Sequence, residues 1–98
     1  MKINHTKKEA ALTIALEGRL DTTTAPELEA DLKESLKDIT ALTFDFSGLE
    51  YLSSAGLRVL LSAKKVMARQ GEMKITHASE LIMEIFEVTG FNDILTIE

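Results

Sequence analysis

Two adjacent serines, Ser53 and Ser54, stand at the mouth of a helix in the stretch Asp45–Arg58, which reads D-F-S-G-L-E-Y-L-S-S-A-G-L-R. A serine hydroxyl there has three chemistries open to it. It can act as a nucleophile if a base is near, accept a phosphoryl group, or accept a hydrogen bond from an orphan backbone N–H. The last role is helix capping, which contributes about 1 kcal/mol. The nucleophile reading has little to support it. The stretch lacks a Gly-x-Ser-x-Gly elbow, and neither His5 nor His77 has a sequence argument for reaching Ser54 as a base. The two histidines lie far apart and suggest no metal site. There is no cysteine, which excludes thiolate chemistry, disulfides and cysteine zinc sites. No Gly-x-x-x-x-Gly-Lys-Ser/Thr phosphate loop is present. Asp21 has two readings: a loop carboxylate bonding nearby backbone N–H groups, or part of a functional surface beside Ser53-Ser54.

The elements that must position these residues alternate regularly. Lys2–Lys7 reads as a short strand with Ile3 and His5 on one face, and Lys7-Lys8-Glu9 as a polar turn. A second strand covers Ala10–Glu17, where Leu12, Ile14 and Leu16 alternate with Ala11, Thr13 and Ala15. The short separation implies a hairpin. Gly18–Thr23 reads as the first loop. Thr24-Ala25-Pro26-Glu27 then opens a helix, with capping-box spacing between Thr24 and Glu27 and Pro26 in the tolerant first turn. Leu28, Leu32 and Leu36 give its buried stripe.

A third strand is expected over Ala41–Phe46, followed by a turn through Ser47-Gly48. A long helix runs from Ser54 to Gln70 and stops at Gly71. Glu72–Thr76 is a fourth strand. Ser79 caps a third helix in which Ile82, Ile85, Phe86 and Thr89 share a face, and Ile94–Ile97 make a last strand. The order β-β-α-β-α-β-α-β describes an α/β domain with a mixed, largely parallel sheet and one antiparallel edge. Each central strand is apolar on one side only. A sheet covered on both faces would show continuous apolar strands, so the helices should lie mainly on one face.

Ninety-eight residues with 45% hydrophobic and 28% charged content make one globular domain, 1–98, able to form a core without staples. The net charge of −5 argues against non-specific nucleic-acid binding. No stretch has the length of a membrane span, and the N-terminus lacks an apolar signal core. The expected setting is cytoplasmic, with no direct nucleic-acid or membrane partner.

The stretch Asp45–Arg58, set on this order of elements, resembles the STAS domain of bacterial anti-sigma factor antagonists. The resemblance covers nearly the whole chain. Gly18-Arg19-Leu20-Asp21 matches the family's glycine, any residue, leucine, aspartate loop, and Asp45-Phe46-Ser47-Gly48-Leu49 its strand-three exit. Tyr51-Leu52-Ser53-Ser54-Ala55-Gly56-Leu57 matches the segment around the phosphorylated serine. Ile85-Phe86-Glu87-Val88-Thr89-Gly90-Phe91 matches the end of the third helix. Carried over, Ser54 is the phosphoacceptor, with Ser53 the alternative, because Ser53 replaces the aspartate that precedes the family's serine.

The resemblance implies a switch without enzymatic activity or cofactor. The unmodified protein binds an anti-sigma factor with serine kinase activity, a sigma factor is released, and phosphorylation ends the interaction until a phosphatase reverses it. The partner surface it implies comprises Asp21, Thr22, Thr23, Ser53, Ser54, Ala55, Gly56 and Arg58. Gly56 is expected to admit a partner's backbone, at a helix cost of about 1 kcal/mol relative to alanine. A STAS domain serving as a non-switching scaffold, with the serines as caps only, and a nucleotide-binding STAS domain are the alternatives.

Overall fold

In the computed structural model, which describes all 98 residues, the chain forms a five-stranded sheet in the order β1-β2-β3-β4-β5. Strand β1 (Lys2–Lys8) pairs antiparallel with β2 (Ala11–Leu20), from Lys2 opposite Glu17 to Lys8 opposite Ala11. The tight turn falls at Glu9-Ala10, one residue later than the sequence suggests, with Glu9 at φ 56°. Strands β3 (Ala41–Leu52), β4 (Glu72–Thr76) and β5 (Thr96–Ile97) continue the sheet in parallel. Helices α1 (Ala25–Ser35), α2 (Ser54–Gln70) and α3 (Glu80–Thr89) make the three crossovers. Each crossover steps to the next strand in the same direction. Right-handed connections therefore carry every helix to the same side.

Burial matches this one-sided arrangement. Leu12, Ile14 and Leu16 of β2, Leu42, Phe44 and Phe46 of β3, and Met73 and Ile75 of β4 are buried beneath the helices. They join Leu28 and Leu32 of α1, Leu57, Leu60 and Met67 of α2, and Ile82 and Phe86 of α3 in one cluster. Phe46 bridges Phe44 and Phe86, with ring centroids 5.9 and 6.5 Å away. No polar or charged residue is buried. The opposite face, which carries Thr13, Thr43, Asp45, Lys74 and Thr76, stays half-exposed.

Two strands run further than their periodicity indicates. β2 continues through Gly18-Arg19-Leu20, and β3 continues from Phe46 to Leu52 without the expected turn. The reason is a pair of register shifts. Ala15 faces Asp45 but Glu17 faces Gly48, and Gly18 faces Leu49 but Arg19 faces Tyr51. β3 thus accommodates two additional residues, as bulges do. Its buried positions become Leu42, Phe44, Phe46, Leu49 and Leu52. The interval lengthens from two to three, which hides the strand from a period-two reading.

The last strand is shorter than Ile94–Ile97. A 3₁₀ turn occupies Phe91–Asp93, Ile94 is exposed, and only Thr96–Ile97 pair with β4.

Loop closure between α2 and β4 leaves no space at Gly71. A Cβ there would collide with the carbonyl oxygen of Thr40, which also accepts the Glu72 N–H at 3.0 Å. Gly71→Ala should therefore destabilise the domain by about 1–3 kcal/mol, the usual cost of overpacking. Thermal denaturation should read this as a drop of about 4–8 °C per kcal/mol for a domain of this size.

Candidate functional site

The C-terminal ends of β2 and β3 lie side by side. Leu20 and Leu52 form the last pair of the ladder, and the Ser53 N–H donates to the Leu20 carbonyl at 2.9 Å. That bond ends β3 and aims the chain into α2. Ser53 is the extended residue before the helix, and Ser54 is exposed at its first position.

Neither serine caps α2 as the sequence alone suggests. The helix has no side-chain cap, and the Ser53 Oγ is buried without a hydrogen-bond partner. A buried hydroxyl left so costs about 1–3 kcal/mol. In α3, by contrast, the Ser79 hydroxyl accepts the Ile82 N–H at 3.2 Å. The first turn of α2 also carries no acidic residue. The positive end of the helix dipole is consequently neither capped nor neutralised beside the exposed Ser54.

Asp21 is occupied by its own turn. Its Oδ1 accepts the Thr23 N–H at 3.0 Å and the Thr24 N–H at 3.2 Å. The Thr24 hydroxyl accepts the Asp21 N–H at 2.9 Å and donates to the Arg19 carbonyl at 2.7 Å. Thr24 precedes α1 but makes no cap bond into it, so the capping box with Glu27 does not form. The Thr24 N–H is the chief cause of a lowered Asp21 pKa. The Thr23 N–H, the Thr24 hydroxyl and Arg19 act in the same direction, against a smaller opposing effect of burial. The Arg19 guanidinium lies 4.4 Å from the centre of the Tyr51 ring, and its Nε is 3.6 Å from Asp21 Oδ2.

Helix α2 separates two concavities. On the α1 side, Thr22, Ala55 and Arg58 line a small hollow with Pro26 and Ser62. On the α3 side, Ser53 and Ser54 share an open groove of about 460 Å³ with Tyr51, Leu57, Glu84 and Ile85. Leu81 and Val88 complete that groove and are 48% and 82% exposed. Thr23 is exposed on the turn and lines neither hollow.

The expected partner surface is thus divided around the N-terminus of α2. The α3 residues that line the groove beside Ser54 lie outside the expected set. Their signal in the sequence is a helix apolar almost all round, with Leu81, Met83 and Val88 in addition to its Ile82–Phe86 stripe. His5 and His77 are elsewhere. His5 Nε2 is 2.7 Å from Asp31 on α1, and His77 Nδ1 is 3.6 Å from Asp45. The Ser47 N–H, with a lesser contribution from His77, lowers the Asp45 pKa. No three potential metal ligands converge.

Gly56 departs from its expected role. Its missing side chain faces the protein's own interior, not a partner. A Cβ would lie 2.7 Å from both Leu20 Cγ and Leu52 Cδ1. The glycine lets α2 rest on the ends of β2 and β3.

Residues 3–96 match the family described as Mlab, STAS domain, and the chain belongs to the STAS domain family. BtrV of Bordetella bronchiseptica, a putative anti-sigma factor antagonist by name, is 35% identical over 99% of this chain and 85% of its own length. The anti-sigma-B factor antagonist of Listeria monocytogenes is 32% identical over 89% of this chain and 78% of its own. The fold is also that of the Bacillus anti-sigma factor antagonist SpoIIAA. Its unphosphorylated form superposes with a TM-score of 0.84 at 17% identity, covering 99% of this chain and 88% of that one. Its phosphorylated form gives 0.76 at 17%, covering 99% and 91%.

Gly56→Ala should lower thermal stability, because overpacking costs about 1–3 kcal/mol and the gain in helix propensity returns only about 1 kcal/mol. A variant melting at or above the wild-type temperature would contradict the packing role.

The Asp21 turn has a pH signature. A carboxylate with a lower pKa in the folded chain contributes in full above its ordinary value near 3.8. The contribution is lost as pH falls through the folded value. Melts between about pH 5 and pH 2 should show a shallower acid decline for Asp21→Asn than for the wild type.

Proposed function

We propose that this chain is an anti-sigma factor antagonist switched by phosphorylation of Ser54. In the unmodified state it binds an anti-sigma factor that carries serine kinase activity, and a sigma factor is released. Phosphorylation dissociates the pair, and a phosphatase restores the active form. The protein acts in the cytoplasm as a binding module and performs no catalysis. No helix is long and apolar enough to cross a membrane. The Listeria relative's name and the two forms of SpoIIAA support the reading.

The observation that carries it is the exposed Ser54 hydroxyl at an uncapped helix N-terminus. A phosphate adds about 1.5–2 negative charges. The α2 dipole and its free N–H groups favour that charge locally, so the fold can remain as it is. The absence of an acid from the first turn removes one source of repulsion. Ser53 stands where the family has aspartate, and its neutral hydroxyl leaves the phosphate unopposed on that side.

A partner pressed against Ser54 meets the opposite balance. It must desolvate the new charge, and Asp21 lies immediately after Leu20, the residue bonded to the Ser53 N–H. A penalty of about 3 kcal/mol would weaken binding by on the order of a hundredfold.

Two substitutions separate a switch from a non-switching scaffold. Ser54→Asp should stay folded and melt no lower than wild type, yet bind the anti-sigma kinase about a hundredfold more weakly. Ser54→Ala should melt within about 0.5 kcal/mol of wild type, since no cap bond is lost. It should bind normally and gain no mass with ATP and the kinase. Calorimetry, intact mass and peptide mapping read these outcomes. Equal binding by Ser54→Asp and wild type, or phosphate found only on Ser53, would overturn the assignment.

A further inference from the structure

The facing sides of α1 and α2 enclose a trough of about 350 Å³ that the serine site does not use. Leu32 of α1, Leu36 at its C-terminal end, and Val59, Ala63 and Val66 of α2 form its floor. The trough exists because α2 presents valine, serine and alanine to the leucines of α1, and these short side chains leave the space between the helices unfilled. Val66 is 40% exposed at its edge. Gln70 closes one end, its amide donating to the carbonyls of Leu36 at 2.9 Å and Ile39 at 2.7 Å.

The rim is positively charged at that end, in a chain whose net charge is −5. Lys33 near the end of α1 and Lys37 in the turn just after it both line the trough. Lys37 has a partner, Glu34, at 3.2 Å on the open surface, whereas Lys33 takes part in no ion pair. Glu29 lines the trough one helical turn before Lys33, about 6 Å along α1. An aliphatic floor with two cations at one end is complementary to an apolar chain with an anionic head. The volume suits a small ligand, since such pockets span about 300–1,000 Å³.

We infer that this trough binds a single-chain amphiphile with a carboxylate head, such as a medium-chain fatty acid. The alkyl chain lies on Val59, Ala63 and Val66, and the carboxylate sits between Lys33 and Lys37. The site is separate from Ser54 and does not depend on the phosphorylation reading.

The test is an NMR titration of the ¹⁵N-labelled chain with sodium laurate below its micelle concentration. Saturable shifts should appear at the amides of Lys33, Val59, Ala63 and Val66. The neutral analogue dodecanol should bind more weakly. The double variant Lys33→Glu, Lys37→Glu should bind laurate about tenfold more weakly or worse, with an unchanged circular dichroism spectrum. Val66→Trp, at a half-open position, should fill the trough and abolish the shifts. The inference is overturned by an absence of saturable shifts, by shifts away from α1 and α2, or by equal affinity in the charge-reversed variant. It is also overturned if the chain sediments with phosphatidylglycerol vesicles or binds an acidic amphipathic peptide while giving no response to laurate.

Discussion

Leu20 and Leu52 stand opposite each other at the last rung of the β2–β3 ladder, and the N–H of Ser53 closes it on the Leu20 carbonyl. The geometry of the serine site depends on that rung. The two additional residues in β3 delay its end until it is level with the end of β2. The turn at Asp21 and the start of α2 therefore emerge together. Gly56 then lets the first turn of α2 settle onto the same two leucines. A side chain there would lift the helix from the sheet, carrying Ser54 with it.

Polar groups around this rung are treated unequally. Asp21 and Thr24 satisfy each other and the adjacent backbone, which makes the β2–α1 turn a stiff structural element. The Ser53 hydroxyl has no partner, and α2 begins without a side-chain cap. Buried polar groups are nearly always paired, and an exception invites a functional explanation. An uncapped α2 leaves its first backbone N–H groups free to receive an anion beside Ser54. A capping carboxylate in that position would already occupy the N–H groups and repel a phosphate.

The one-sided sheet sets the outer surface as well. Because all three helices share a face, α2 packs between α1 and α3, and its two flanks become two different recesses. Toward α3 the recess is apolar with Glu84 at its edge and includes both serines. Toward α1 it is a trough with lysines at one end. The same helix thus separates surfaces of opposite charge, so one chain of this size can offer two distinct chemistries. The uncovered sheet face contributes neither, since its Thr, Asp and Lys side chains form no recess with a helix.

The one-sided apolar alternation in Leu12–Leu16, Leu42–Phe46 and Met73–Ile75 was enough to specify a sheet with its helices on one face. Periodicity survives wherever strand pairing is regular. The serine pair and its family segment were legible too, because a helix start has a local chemical signature. Other features were not local. The extension of β3 to Leu52 was concealed because each bulge changes the interval between inward residues from two to three, and only the partner strand defines the true register. Gly56 could not be assigned from its position, since what fills the place of its missing Cβ comes in part from Leu20, far earlier in the chain. The capping of α2 was equally undecided, because a serine before a helix caps only if its rotamer and surroundings direct the oxygen to a free N–H. Tertiary packing directed the Ser53 oxygen into a closed, partnerless position and left Ser54 outside, and that packing determines which of two adjacent serines meets solvent.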